Sequence, residues 1–149
     1  NWGGRWGLVA LRPGESPARP EPRRWLQAMS DLELVGDPKL AEAGLEAATV
    51  RWPGEALAWF ALGNSRYRAG RRADALAAWR RATALDPGLA AGWNNLAQVQ
   101  GEIGCAGEAR ASLERGRAVG AGAAERRALE ATARGLDGAQ PASSTPRPC

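Results

Sequence analysis

The chain has 149 residues, 44% of them apolar and 24% charged, and a formal net charge of +4 at pH 7. That length is enough for one compact domain with a real core, and no apolar run is long enough to cross a bilayer. With two Cys and no His, the chain cannot build a Ser-His-Asp triad, a Cys-His pair or a His-ligated metal site from its own residues.

Residues 1–21 read as an extended arm. The opening "NWGGRWGLVALRPGE" has no Met, carries two Trp within six residues, and has the apolar density of a short strand. No other strand candidate exists in the chain. A lone strand leaves its backbone donors and acceptors unpaired, so it calls for a sheet supplied from elsewhere. The alternative of equal weight is a disordered arm, or one packed on the domain. "RPGESPARPEP" places four Pro in eleven residues and reads as a stiff linker.

From residue 22 the chain repeats with a period of 34. Trp25, Trp59 and Trp93 share the offset, as do Gly36, Gly70 and Gly104, and Ala41, Ala75 and Ala109. Leu45, Trp79 and Leu113 follow it, and so do Ala48, Ala82 and Gly116. Pro53 and Pro87 continue it, with Ala121 in place of a third Pro. Three units result: 22–55, 56–89 and 90–123. Within the middle unit, Trp59, Leu62 and Gly63 recur at helical spacing, and Gly70 stops that helix. A second helix carries Ala75, Leu76, Trp79 and Ala82 on one face before Asp86-Pro87 breaks it. In the first unit Asp37 is the expected N-cap, with Pro38 at the first helical position. Small residues at Gly63, Ala75 and Ala82 allow close helix approach. The Trp column is expected to be wedged inside the stack and to dominate stability. Residues 124–136 read as one more helix covering the open end of the stack, and 137–149 as a disordered tail rich in Pro and Ser.

The period and these residues resemble the tetratricopeptide repeat. Trp59, Leu62, Gly63, Gly70, Ala75, Trp79, Ala82 and Pro87 fall on the family's Trp, Leu, Gly, Gly, Ala, aromatic, Ala and Pro positions. The family's mid-helix Tyr position departs, holding Leu32, Arg66 and Gln100. The resemblance implies an all-α fold: a right-handed α-solenoid of three helix-turn-helix units plus a C-terminal capping helix. It also implies a scaffold that binds protein or peptide on its concave face and calls for no cofactor. A second resemblance rests on "WGGRWGLVALRPGESPA" followed by the linker and repeats. That order is similar to the C-terminal part of bacterial papain-like cysteine peptidases of the bacteriocin-processing type. It implies a non-catalytic accessory region, with catalytic residues upstream, in an extracytoplasmic bacterial setting.

The concave face of such a stack takes its residues from the first helix of each unit. The candidates are Arg23, Leu26, Ser30 and Glu33, then Phe60, Asn64, Tyr67 and Arg68, then Asn94, Asn95, Gln98 and Glu102. The central peptide-binding set is Phe60, Asn64, Tyr67, Arg68, Asn94, Asn95 and Gln98. Asn amides can pair with a ligand backbone, the aromatic rings offer apolar contact, and Arg68 can reach a carboxylate. The bland reading is packing between helices. A clamp for a terminal carboxylate, as some family members use, is disfavoured: Phe60 stands where that clamp needs Lys, and Leu129 where it needs Arg.

Six Arg within "RYRAGRRADALAAWRR" raise a third function, an Arg-mediated nucleic-acid or membrane-surface adaptor. Without aromatic interleaving, solvated helix charge is the preferred reading. Cys105 reads as a semi-buried thiol, and nothing in the spacing supports a bond to Cys149.

Overall fold

The structure, a computed structural model, describes residues 21–138. Those residues form seven helices and no strand: α1 (Pro22–Leu34), α2 (Pro38–Arg51), α3 (Ala56–Arg68), α4 (Arg72–Leu85), α5 (Ala90–Glu102), α6 (Ala106–Ala118) and α7 (Ala123–Gly138). The arm and linker read over residues 1–21 lie outside the described residues except for Glu21, which is the N-cap of α1. The peptidase resemblance rests on that same segment. Of the expected tail, Asp137 and Gly138 instead complete α7, and residues 139–149 lie outside the described residues.

Local sequence explains where each helix begins and ends. Pro22 and Pro38 open α1 and α2 at positions where a missing N–H costs nothing. Asp37 caps α2, its carboxylate accepting from the Leu40 amide at 3.0 Å. Gly36, Gly70 and Gly104 all sit at positive φ, between +77° and +95°, in the turn inside each helical pair. Only Gly enters that region without strain, which is why this column holds one residue type.

Each helix packs on its neighbours in sequence, and α1 also touches α3, as α5 touches α7. The result is a helical-repeat solenoid in which α1, α3, α5 and α7 form one row. One core cluster comprises Ala75, Leu76, Trp79, Leu96 and Val99, and a second comprises Ala90, Ala97, Leu113, Ala121 and Leu129. Gly63 allows a close approach of a large ring. A Cβ there would lie 2.4 Å from Trp79 Nε1, so the indole packs against bare backbone.

The Trp column corrects an expectation. Trp25, Trp59 and Trp93 are half-buried, whereas Trp79 on the second helix of the middle unit is 2% exposed. The reason lies in their indole N–H groups. Trp59 donates to the Pro53 carbonyl at 3.0 Å and Trp93 to the Pro87 carbonyl at 2.8 Å. Those carbonyls belong to the turns between units, so both rings stay at the edge of the stack. Trp25 donates instead to the Gly44 carbonyl at 2.8 Å.

The polar residues at the family's Tyr position are also accommodated. Gln100 is buried and shares a 2.7 Å hydrogen bond with Ser112 on α6. Arg66 reaches back to α2, placing Nη2 3.0 Å from Glu46 and Nε 3.7 Å from Glu42. Cys105 is 6% exposed and disulfide-bonded, which replaces the reading of a free semi-buried thiol.

Candidate functional site: a groove over α1 and α3

Two adjoining hollows of about 390 and 460 Å³ run along the row between α1 and α3. They share Ser30, Ala61 and Asn64. Leu26, Leu57 and Phe60 line one end, and Glu33, Leu34 and Arg68 the other. Arg23 and Gln27 border the first end beside its apolar side chains, and the Glu33–Arg68 ion pair borders the other.

Asn64 stands at the junction. Its Oδ1 accepts from Trp79 Nε1 at 3.1 Å and from Asn95 Nδ2 at 2.9 Å. An indole nitrogen can only donate, so the Trp79 bond fixes which atom of the Asn64 amide is oxygen. The Asn95 bond then fixes that amide in turn. Among the described residues, nothing accepts from Asn64 Nδ2 and nothing donates to Asn95 Oδ1. The pair thus presents one donor and one acceptor, which is what a peptide group requires. Trp79 also donates to the Phe60 carbonyl at 3.2 Å, tying the site to the core.

The other expected residues are held differently. Tyr67 donates to Glu102 and accepts from Gln98 Nε2 at 2.9 Å. Arg72 Nε reaches the same Glu102 carboxylate at 2.8 Å. Tyr67 also packs on Trp79, with ring centroids 5.6 Å apart. Tyr67, Gln98 and Glu102 therefore form a lock between α3 and α5. Asn94 is drawn the other way, its Oδ1 accepting from Thr132 of α7 at 2.8 Å. Arg68 pairs with Glu33 across α3 and α1. Leu129, on α7, is fully buried against α5 and α6, so it meets no ligand.

Charge follows this geometry. Partial burial raises the Glu33 carboxyl, but hydrogen bonds from Arg68 and Ser65 outweigh it and hold the group below the usual carboxylate range. Partial burial likewise raises Glu102, and hydrogen bonds from Tyr67, Arg72 and Gln98 bring it below that range. The Glu102 carboxylate, accepting the Tyr67 hydroxyl proton, pushes the phenol up.

Five of the six Arg of the Arg-rich segment are exposed, in line with solvated charge, and several also form ion pairs. Arg66 and Arg71 pair with acids of α2, Arg68 with Glu33 of α1, and Arg72 with Glu102 of α5. Four of its six guanidinium groups thus bridge to neighbouring units. Sequence reasoning missed Gln27, Leu34, Leu45, Leu57 and Ala61 as groove residues. Leu34 shares the 34-residue offset with Arg68 and Glu102, and that column was the signal that could have placed it.

Comparison with known proteins follows the fold. Residues 56–89 match the family model of the tetratricopeptide repeat. The described residues have the fold of tetratricopeptide-repeat solenoids. Similar solved structures include MamA, at TM-score 0.64 and 20% identity over 78% of this chain and 64% of that one. The tetratricopeptide-repeat domain of P58(IPK) aligns at TM-score 0.72 and 17% identity, over 78% of this chain and 32% of that one. The type III secretion chaperone SycD of Yersinia enterocolitica was solved in complex with a peptide of the translocator YopD. It aligns at TM-score 0.69 and 14% identity, over 77% of this chain and 91% of that one. This chain therefore spans less than two thirds of the MamA structure and about a third of the P58(IPK) domain. Comparison with curated protein sequences gives no match.

Proposed function

We propose that this chain is a non-catalytic protein-interaction module that holds an extended peptide segment in the groove over α1 and α3. The observation that carries the reading is the Asn64–Asn95 pair, whose outer donor and acceptor match one peptide group. The Leu26, Leu57 and Phe60 side chains at one end suit an apolar side chain of the ligand, and the Glu33–Arg68 end suits a polar one. A binding role rather than catalysis fits the absence of His from the sequence. It also fits the engagement of Glu33 by an Arg, which leaves that carboxylate a poor general base. The complex of SycD with a peptide of YopD supports a peptide as the class of partner.

The test is selection of peptides from a random library on the intact chain, followed by calorimetry on the best binder. Asn64→Ala removes one backbone contact and is expected to weaken binding about tenfold, near 1.4 kcal/mol. Phe60→Ala is expected to cost about 2 kcal/mol or more. Asn64→Ala should still fold, because Trp79 keeps its bond to the Phe60 carbonyl. Affinities unchanged in both variants would overturn the groove assignment.

A further inference from the structure

A further hollow, of about 230 Å³, lies between α4, α5 and α6 and shares no lining residue with the groove. Arg80, Arg115 and Trp93 line it together with the buried Thr83, Gln100 and Ser112. Among the described residues, none that lines it is acidic. The repeat supplies an internal comparison. At the 34-residue offset the first two units hold Glu46 for Arg80, Arg66 for Gln100 and Ala78 for Ser112. Thr49, Trp59 and Arg81 match Thr83, Trp93 and Arg115 in type. There the charge is met from within, since the Glu46 carboxylate lies 3.0 Å from Arg66 Nη2. Between the second and third units that pair is gone, and an Arg stands where the acid stood.

Two further details equip the hollow for an anion. The Leu96 and Glu108 carbonyls can only accept, so the Gln100 amide nitrogen is the atom that faces them, at 3.1 and 3.2 Å. That nitrogen also donates to Ser112 Oγ at 2.7 Å, and Ser112, 4% exposed, keeps its own proton to give. Ala78 has no such donor. The Trp93 ring is fixed by its bond to the Pro87 carbonyl, and the Arg115 guanidinium lies 5.2 Å from the ring centroid, which holds its planar fork in place. We propose that this hollow binds the carboxylate of a Glu or Asp side chain from a protein partner. Arg80 and Arg115 supply the charge and Ser112 a hydrogen bond, a donor set that suits a carboxylate. The fold already places a Glu carboxylate beside the position equivalent to Gln100 in the first two units. The site does not depend on the peptide groove.

Nuclear magnetic resonance on the intact chain, titrated with acetylated tetraglutamate, tests this. The Nε–H signals of Arg80 and Arg115 and the backbone amide of Ser112 are expected to shift. Arg115→Gln should weaken binding about tenfold or more. Arg80→Glu/Gln100→Arg should do the same, because it installs the pair that Glu46 and Arg66 form. The first two units already carry that pair, so the fold should persist, as circular dichroism would verify. Arg81→Gln removes a charge that does not line the hollow and should change affinity less than about twofold. No binding by the native chain would overturn the proposal, and so would affinity unchanged in both hollow variants. Equal losses in Arg81→Gln and Arg115→Gln would mark a general charge effect and overturn it too. A phosphoserine peptide bound about tenfold more tightly than tetraglutamate would assign the hollow to phosphate instead and equally overturn it.

Discussion

Gly63 and Trp79 form a tight contact in the described core. Any side chain at residue 63 would drive a Cβ to within 2.4–2.5 Å of the indole. The ring is 2% exposed and holds two acceptors through one N–H, so it has little room to move. Gly63→Ala should therefore destabilise the chain by about 1–3 kcal/mol despite the better helix propensity of Ala, as urea denaturation would measure. A midpoint unchanged from the native chain would mean that the ring can shift. The same contact links stability to the groove, since Trp79 orients Asn64 and Asn64 orients Asn95.

Between elements, the first helices of successive units are joined by polar contacts that recur 31 to 38 residues apart: Glu33–Arg68, Asn64–Asn95, Tyr67–Glu102 and Asn94–Thr132. The Glu33 and Glu102 carboxyls are held low in the folded state. A depressed carboxyl stabilises the fold above its unfolded value of about 4.3 and loses that contribution as pH falls through the lowered folded value. Glu33→Gln/Glu102→Gln should therefore melt below the native chain at pH 6 and close to it at pH 3. Equal melting temperatures at both pH values would show that these pairs contribute nothing.

The helices themselves were legible in the sequence. Gly, Pro and small-residue columns act locally, and a 34-residue period exposes them. The ion pairs were not legible, because each Arg finds its acid about 20 to 35 residues away on a different unit. The register of the repeat does not specify such partners. The split of the groove candidates was hidden for a related reason. Asn94 and Asn95 are adjacent in sequence, yet one turns to α7 and the other to α3. Half-burial of the Trp column escaped because the deciding acceptors are turn carbonyls at Pro53 and Pro87.

At the scale of the molecule the two ends differ. α7 closes the last unit through Leu129, which is 0% exposed and packs among Ala90, Ala97, Leu113 and Ala121. Leu129→Ala should cost about 2–5 kcal/mol, read from chemical denaturation. The other end is looser: α1 buries no residue completely. In a stack where each unit contacts mainly its neighbours, stability follows those interfaces. The amides of α1 are accordingly expected to exchange faster than those of α3 to α6, and native-state hydrogen exchange would reveal it. Equal protection along the row would contradict that gradient.

The groove is the centre of the account, and nuclear magnetic resonance on the intact chain, titrated with a library-selected peptide, addresses it most directly. The largest shifts should fall on the side-chain amides of Asn64 and Asn95 and on the backbone of α1 and α3 around Ser30, Phe60 and Ala61. Shifts confined to α4 and α6, with both Asn amides unmoved, would place the partner on the opposite side and contradict the account.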